Sequence, residues 1–411
     1  MRDLFITMIV LGTLPFILMR PYIGIYAWSW IGYMSPHRLS YGFAFSFPFA
    51  QLIALVLLVG FVFNKDSKRF PITPLTIVWI LFLLWMCFTT IFALYPDDAQ
   101  NQLIKVLKAQ FIAFLTVMLI NSRERLHILA WVIFLSIGFF GIKGGVFTIM
   151  TGGGHRVNGP PGTYIGGNNE LALAILMVTP LAIYLRHVTK NTWIKLFLLV
   201  AMLLMVVSAI GSQSRGAMLA AFSLGVYLWL KSSKKVITAI IAIIVGASIF
   251  SFMPQSWHDR MSTIETYEED RSAMGRINAW TMATTVAASR LTGGGYEIWR
   301  AEVFAEYSPK PDYVHDAHSI YFEVLGEQGF IGLLLFLSVW FLAFYNAGWV
   351  IKKARGDPSF ESLAVLVRMI QVCLIAYAVG GAFLGLAYFD LPYHLLAMII
   401  AARMIVEKEL T

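Results

Sequence analysis

Two histidines, His315 and His318, stand at the entrance of an apolar run in the stretch Tyr313–Gly332, which reads Y-V-H-D-A-H-S-I-Y-F-E-V-L-G-E-Q-G-F-I-G. Imidazole is the side chain best suited to moving a proton near neutral pH. His318, next to the helix start expected at Ser319, is placed to accept a proton from a hydroxyl; capping an interfacial helix is the plain structural alternative. His315 competes for the same role, with Asp316 as an orienting partner. Four arginines lie in distinctive settings. Arg156 sits in H-R-V-N-G-P-P-G, Arg215 in S-Q-S-R-G-A, and Arg271 and Arg276 in R-S-A-M-G-R-I-N-A-W. Planar guanidinium groups are the preferred partners of phosphate and diphosphate. Arg215 could instead snorkel to the membrane edge. Arg276 could instead pair with Trp280, one helical turn on, or with Glu268, Glu269 or Asp270, and Arg271 suits such a structural pairing better. The Gly- and Pro-rich segment 158–170 ends in Asn168, Asn169 and Glu170 where an apolar run begins. Backbone N–H groups and asparagines there suit an anion or a sugar, and equally suit ordinary turns and caps. Lys105 and Lys108, one turn apart at the outer start of a run, and Lys143 within one are further candidates because ionisable groups inside a membrane are functional by default, though the first two could simply meet headgroups. Arg368 and His394 rank below them.

These side chains are embedded in a lipid-loving chain. Of 411 residues, 58% are hydrophobic and 13% charged, with a mean hydropathy of +0.72. A soluble domain of this size would need far more polar surface, so the expected class is an all-α polytopic membrane protein. Apolar runs over 4–35, 48–63, 73–95, 103–120, 126–150, 169–185, 194–210, 217–230, 236–253, 319–350, 362–388 and 391–406 give about twelve transmembrane helices, or about thirteen if the first is split at Arg20-Pro21. The N-terminal run resembles a signal peptide but has no small-residue cleavage site, so it reads as a retained segment. Cys87 and Cys373 lie inside apolar runs and suggest neither a redox compartment nor a metal site.

The net charge of +8 is spread over short alternate loops: Lys65, Lys68 and Arg69; Arg123 and Arg125; Arg186, Lys190 and Lys195; Lys231, Lys234 and Lys235; Lys352, Lys353 and Arg355. This is a topology signal and argues against nucleic-acid binding. Those loops are expected in the cytoplasm together with the C-terminus, and on a count of twelve the N-terminus joins them. The other loops, 36–47, 96–102, 151–168, 211–216, 254–318 and the turn at Phe389-Asp390-Leu391-Pro392, then face outward. The expected organisation is helices over 1–253, a large external loop over 254–318 and C-terminal helices over 319–411. Helical patterning at Ile277–Ala288, followed by Gly293-Gly294-Gly295, makes the large loop a small folded cap. No P-loop, acidic D-x-D pair or Cys/His metal spacing is present, which favours chemistry without nucleotide, metal or cofactor.

Taken together, His318-Ser319 with Gly329 resemble the H-[S/N]-x9-G motif of the O-antigen ligase family. Arg215 in S-R-G-A and Arg276 in R-x-x-x-W resemble its two arginine motifs, and Gly167-Asn168-Asn169-Glu170-Leu171-Ala172 resembles its N-N-x-L-A element. The likeness covers about 155–400, while the N-terminus (M-R-D-L-F-I-T) resembles a subgroup of O-glycosylation ligases found with exosortase-like systems. The resemblance implies a GT-C-type glycosyltransferase of the bacterial inner membrane, working at the periplasmic face without a metal and with inversion. Its donor would be a glycan on undecaprenyl diphosphate and its acceptor a sugar hydroxyl of lipid A–core. It further implies His318 as general base, Arg215 and Arg276 as diphosphate ligands, and an apolar groove for the polyprenyl tail. An O-antigen polymerase and a protein O-oligosaccharyltransferase share much of the pattern. A lipid-linked glycan flippase is the alternative of a different class; it would favour charged groups near the midplane and inverted repeats, and none is evident.

Overall fold

A computed structural model describes residues 1–64, 69–232, 234–262 and 271–410. Among these, every regular element is helical: α1 (Arg2–Met19), α2 (Tyr22–Met34), α3 (Phe49–Phe63), α4 (Pro74–Ile91), α5 (Pro96–Leu119), α6 (Arg123–Met150), α7 (Asn168–Val178), α8 (Leu181–Val188), α9 (Thr192–Gly211), α10 (Arg215–Lys231), α11 (Lys235–Phe252), α12 (Gln255–Ser262), α13 (Arg271–Ser289), α14 (Ala301–Tyr307), α15 (Ile320–Ala354), α16 (Glu361–Gly381) and α17 (Asp390–Leu410), with short 3-10 turns at 36–39, 43–45 and 358–360. Nine segments among the described residues are long and apolar enough to cross a membrane, the pair α7–α8 counting as one. The chain is a multi-pass helical membrane protein. In water such exposed apolar faces would be costly; lipid is the solvent that accepts them, and α11 accordingly buries no residue in the protein.

The first apolar run is a hairpin. Pro21 cannot continue the ladder of α1, because it has no N–H to donate, and the chain reverses there. Asp3 accepts from the backbone N–H groups of Gly42 and Ala44 at 3.1 Å each, whereas Asn64 reaches Met19 O at 3.3 Å. The start of α1 therefore meets the loop after α2, and its end meets the end of α3. Gly60 permits that meeting, since a Cβ there would lie 2.8 Å from Ile17 O. This corrects the count that takes residues 4–35 as one unit, and with it the placement of both termini at one end. Arg2 is at the end opposite to Glu409, which pairs with Arg123.

Two of the basic segments meet at one end, where Arg123 bonds Ser359 O and pairs with Glu409. There Arg123 also lies over Phe360, and Arg125 lies 4.0 Å from the centre of the Tyr22 ring. Lys65 and Lys68, part of the charge pattern, lie outside the described residues. At the other end, Asn168 donates to Ser212 O at 2.8 Å, Arg300 pairs with Asp98 at 2.6 Å, and Tyr164 packs against Phe389. These contacts tie the segment 151–168 to 212–214 and to 382–389, and the cap to the start of α5.

The cap has its own small core, in which Ala279, Met282 and Val286 of α13 meet Ile298, Val303 and Phe304. That periodicity is the helical pattern read at 277–288. It is fastened to the bundle through a break in α15. Gly329 has φ 68 and ψ −175, a conformation essentially reserved for glycine. The break exposes carbonyls that a regular helix would use internally. Gly326 O accepts from Gly294 N and Glu327 O from Gly295 N, both at 2.9 Å, while Gln328 O accepts from the Trp85 indole at 2.8 Å. The triple glycine is thus the cap's anchor, because any side chain at 293 or 329 would meet the other strand's backbone within 3.0 Å.

Candidate active site

The site is built on α13 and the start of α15. Asn278 on α13 donates to Lys310 O and Tyr313 O, each at 3.0 Å, and accepts from Ser308 Oγ at 2.8 Å and Lys310 N at 3.2 Å. A buried amide that satisfies four partners in one loop fixes that loop's path. Two residues along, the Trp280 indole donates to Ala317 O at 2.7 Å, and its ring stacks on Phe322 at 4.8 Å and 7°. The next residue, His318, has φ 42. A left-handed histidine costs on the order of 1 kcal/mol, and the clamped carbonyl before it and the extended Ser319 after it hold it there. Ser319 then leads into α15.

The R-x-x-x-W spacing has a structural reason. Trp280 binds the backbone just before His318, and Arg276, one turn earlier on the same face, is carried towards the imidazole. Burial is the main force lowering the pKa of His318 below the usual 6.5, and the positive charge of Arg276 pushes it further down; Asp316 opposes this. At neutral pH the ring is therefore neutral and able to accept a proton. His315 stands 5.1 Å from His318, centroid to centroid, at 70°, and its Nδ1–H donates to Asp316 O at 2.9 Å. It packs on α13 where Gly275 leaves room, since a Cβ there would lie 2.7 Å from its ring. The two imidazole rings thus lie edge to face against each other. The side chain of Arg271 and residues Glu268, Glu269 and Asp270 lie outside the described residues.

Arg215 is the first residue of α10, rather than the end of the preceding span. Ser214 caps that helix by accepting from Ala217 N at 3.2 Å. The guanidinium stands where the helix N-terminus already favours an anion. Gln213, at φ 58, donates to Gly153 O at 3.2 Å and accepts from Arg156 at 3.5 Å. Asn168 joins the same hub through Ser212 O. Asn169 is half-buried at the start of α7, and the Glu170 carboxylate folds back over Gly167. Segment 380–390 links this hub to the histidines. A Cβ at Gly216 would touch Phe383 at 3.2 Å, and one at Gly381 would touch Ile320 at 2.8 Å, two residues from His318.

Lys105 and Lys108 are exposed on α5, well beyond its first turn, and the structure does not bring them into this cluster. His394 is a structural residue, buried between Tyr33 Oη at 2.9 Å and Thr116 Oγ1 at 3.0 Å. Arg368 faces Glu361 at 3.8 Å. Sequence reasoning passed over Glu323 and Glu327, although both lie in the motif run at a helical i, i+4 spacing. Glu323 accepts from Ala387 N at 3.0 Å, and Glu327 accepts from Glu297 N at 3.2 Å and Trp299 Nε1 at 3.3 Å. One carboxylate fastens the 380–390 segment, the other the cap.

Residues 1–190 match a family of unknown function (DUF5935). Residues 200–337 match the O-antigen ligase family. No curated protein matches the chain. The second match supports a ligase- or polymerase-type function in O-antigen processing, carried by a glycosyltransferase-like membrane enzyme. Arg215, Arg276, His318 and Gly329 all fall within residues 200–337, the segment that is similar to the O-antigen ligase family.

Proposed function

We propose that this protein transfers a glycan from undecaprenyl diphosphate to a sugar hydroxyl of lipid A–core at the periplasmic face of the inner membrane. The observation that carries the reading is the neutral, partly buried His318 held beside Arg276 at the mouth of α15. In the proposed step, a ring nitrogen of His318 takes the proton of the acceptor hydroxyl. That oxygen attacks the anomeric carbon as the bond from this carbon to the diphosphate oxygen breaks, so configuration inverts. Arg215 and Arg276 hold the diphosphate and stabilise the charge it gains on leaving. Arg156, Asn168, Asn169 and Glu170 lie at the Arg215 side and are assigned to sugar or phosphate contacts. The lipid diphosphate supplies the activation, so the reading requires no nucleotide and no metal. The GT-C assignment and the periplasmic orientation belong to this same proposal and rest on the family match and the segregation of basic loops.

The test is to incubate purified protein with undecaprenyl-diphosphate glycan and lipid A–core and to analyse the products. Glycosylated lipid A–core is the expected product. Lengthened lipid-linked glycan would identify a polymerase instead, and modification of an added peptide acceptor a protein ligase. His318→Ala should lower transfer by about 10²–10⁴-fold while the variant purifies and folds normally. Wild-type transfer by this variant would refute the assigned base. Arg215→Ala and Arg276→Ala should each impair donor use, and unchanged donor kinetics in both would remove the diphosphate clamp.

A further inference from the structure

The N-terminal third of the chain holds a second set of cations that the proposed transfer site does not use. A groove of about 890 Å³ runs between α1, α2, the loop after α2, and α6. Its walls are largely apolar, with Phe5 and Ile9 on α1 and Phe139 on α6, and among the described residues Arg2, Arg38 and Lys143 are its charged lining, with the Asp3 carboxylate behind Gly42. Arg2 is held by Leu39 O at 3.2 Å, and Arg38 lies 4.9 Å from the centre of the Phe45 ring. Arg38 also lines a second pocket, of about 240 Å³, where Ser35, Thr163, Tyr164 and Asp390 stand among apolar residues such as Ile31 and Ile165. This pocket opens on Phe389 and Asp390, at one end of the segment whose other end packs beside Arg215 and whose Ala387 is held by Glu323.

An apolar trough, a collar of three cations and an adjoining pocket that offers hydroxyl, carboxylate and aromatic groups match three parts of one amphiphile: an acyl tail, a phosphate and a sugar. We infer that this groove seats the acceptor as a phosphate-bearing glycolipid, its phosphate on Arg2, Arg38 and Lys143, and its sugar directed through the Tyr164–Asp390 pocket towards Glu323 and His318. The inference rests on the proposed transfer reaction, in which Arg215 and Arg276 take the diphosphate of the other substrate. The two lipids then approach the start of α15 from opposite sides of segment 380–390. The matched O-antigen ligase segment supplies none of Arg2, Arg38 or Lys143, so the groove assigns acceptor selection to the N-terminal region.

Direct binding separates this inference from the reaction itself. The full-length protein in nanodiscs would be titrated with bisphosphorylated lipid A, with its dephosphorylated form, with phosphatidylglycerol and with undecaprenyl diphosphate, and binding read by native mass spectrometry. Arg38→Ala/Lys143→Gln should weaken lipid A binding at least about tenfold, as loss of charge-assisted contacts implies, and leave undecaprenyl diphosphate binding unchanged. Dephosphorylation should cause a similar loss in the wild type. Equal lipid A binding by variant and wild type would overturn the inference. So would loss of undecaprenyl diphosphate binding alone, which would make the groove the donor's seat, or equal binding of phosphatidylglycerol, which would make the occupant a plain phospholipid. If lipid A binding falls as expected but wild-type protein transfers no glycan, the groove stands and the proposed reaction fails.

Discussion

Gly329→Ala should detach the cap without dismantling the bundle. Alanine at φ 68 and ψ −175 is strained by about 1–3 kcal/mol, and its Cβ would come within 2.5 Å of Leu291 O and 3.0 Å of Gly293 N. Backbone atoms on both sides cannot yield as a flexible side chain would. The nearest relief is to withdraw the triple glycine, which gives up the bonds from Gly294 N to Gly326 O and from Gly295 N to Glu327 O, each contributing about 0.5–1.5 kcal/mol net. The total, roughly 2–6 kcal/mol, falls on a contact between cap and bundle, not on the apolar packing of the spans. Hydrogen exchange should therefore quicken at Gly294 and Gly295 by about 30-fold or more, since each 1.4 kcal/mol is a factor of ten. Gly293→Ala should do the same, and the double variant should cost less than the sum because both break one contact. Gly348→Ala is the control: the same helix, but a Cβ there meets nothing within 4 Å, so protection should hold. Wild-type exchange at 294–295 in Gly329→Ala would refute the anchor.

The pH dependence of transfer follows from His318. Its pKa is depressed, so the basic form is present above 6.5 and transfer should be lost as pH falls through a midpoint below 6.5; removing Arg276 should move that acid limb to higher pH, and an unmoved limb in the pH–rate profile would separate the two residues. Asn278→Ala should release the 308–313 loop at a cost of about 1–3 kcal/mol, seen as faster limited proteolysis of the cap and lower transfer, with membrane insertion intact. Tags placed at the two termini should become accessible from opposite faces of the membrane, as the α1–α2 hairpin requires, and same-side labelling would exclude that hairpin.

Most of the helix pattern was legible because a span in lipid must satisfy its backbone internally and present apolar side chains, and both demands mark the sequence directly. The apolar runs, the break at Arg20-Pro21, the cap helix at 277–288 and the basic loops could be read in this way. Whether the break made a kink or a hairpin could not, since both interrupt the run alike and contacts 40 residues apart decide. The motif residues His318, Arg276 and Gly329 were visible as types at a spacing. Their supporting partners were not: Asn278 is one polar residue among several on the cap helix, and Glu327 carries no sign that it will hold Glu297 and Trp299.

The sequence by itself determined that this is a helical membrane protein, which loops carry the basic residues, and which imidazole and guanidinium groups are candidates for proton and phosphate chemistry. Those properties are local, set by hydropathy, charge and a handful of adjacent residues. Tertiary structure alone decided that α1 doubles back, that Trp280 and Asn278 hold His318 in a left-handed turn beside Arg276, and that Arg2, Arg38 and Lys143 converge on one groove. Each of these depends on residues far apart in the chain meeting in space, and hydrophobic periodicity carries no record of such partners.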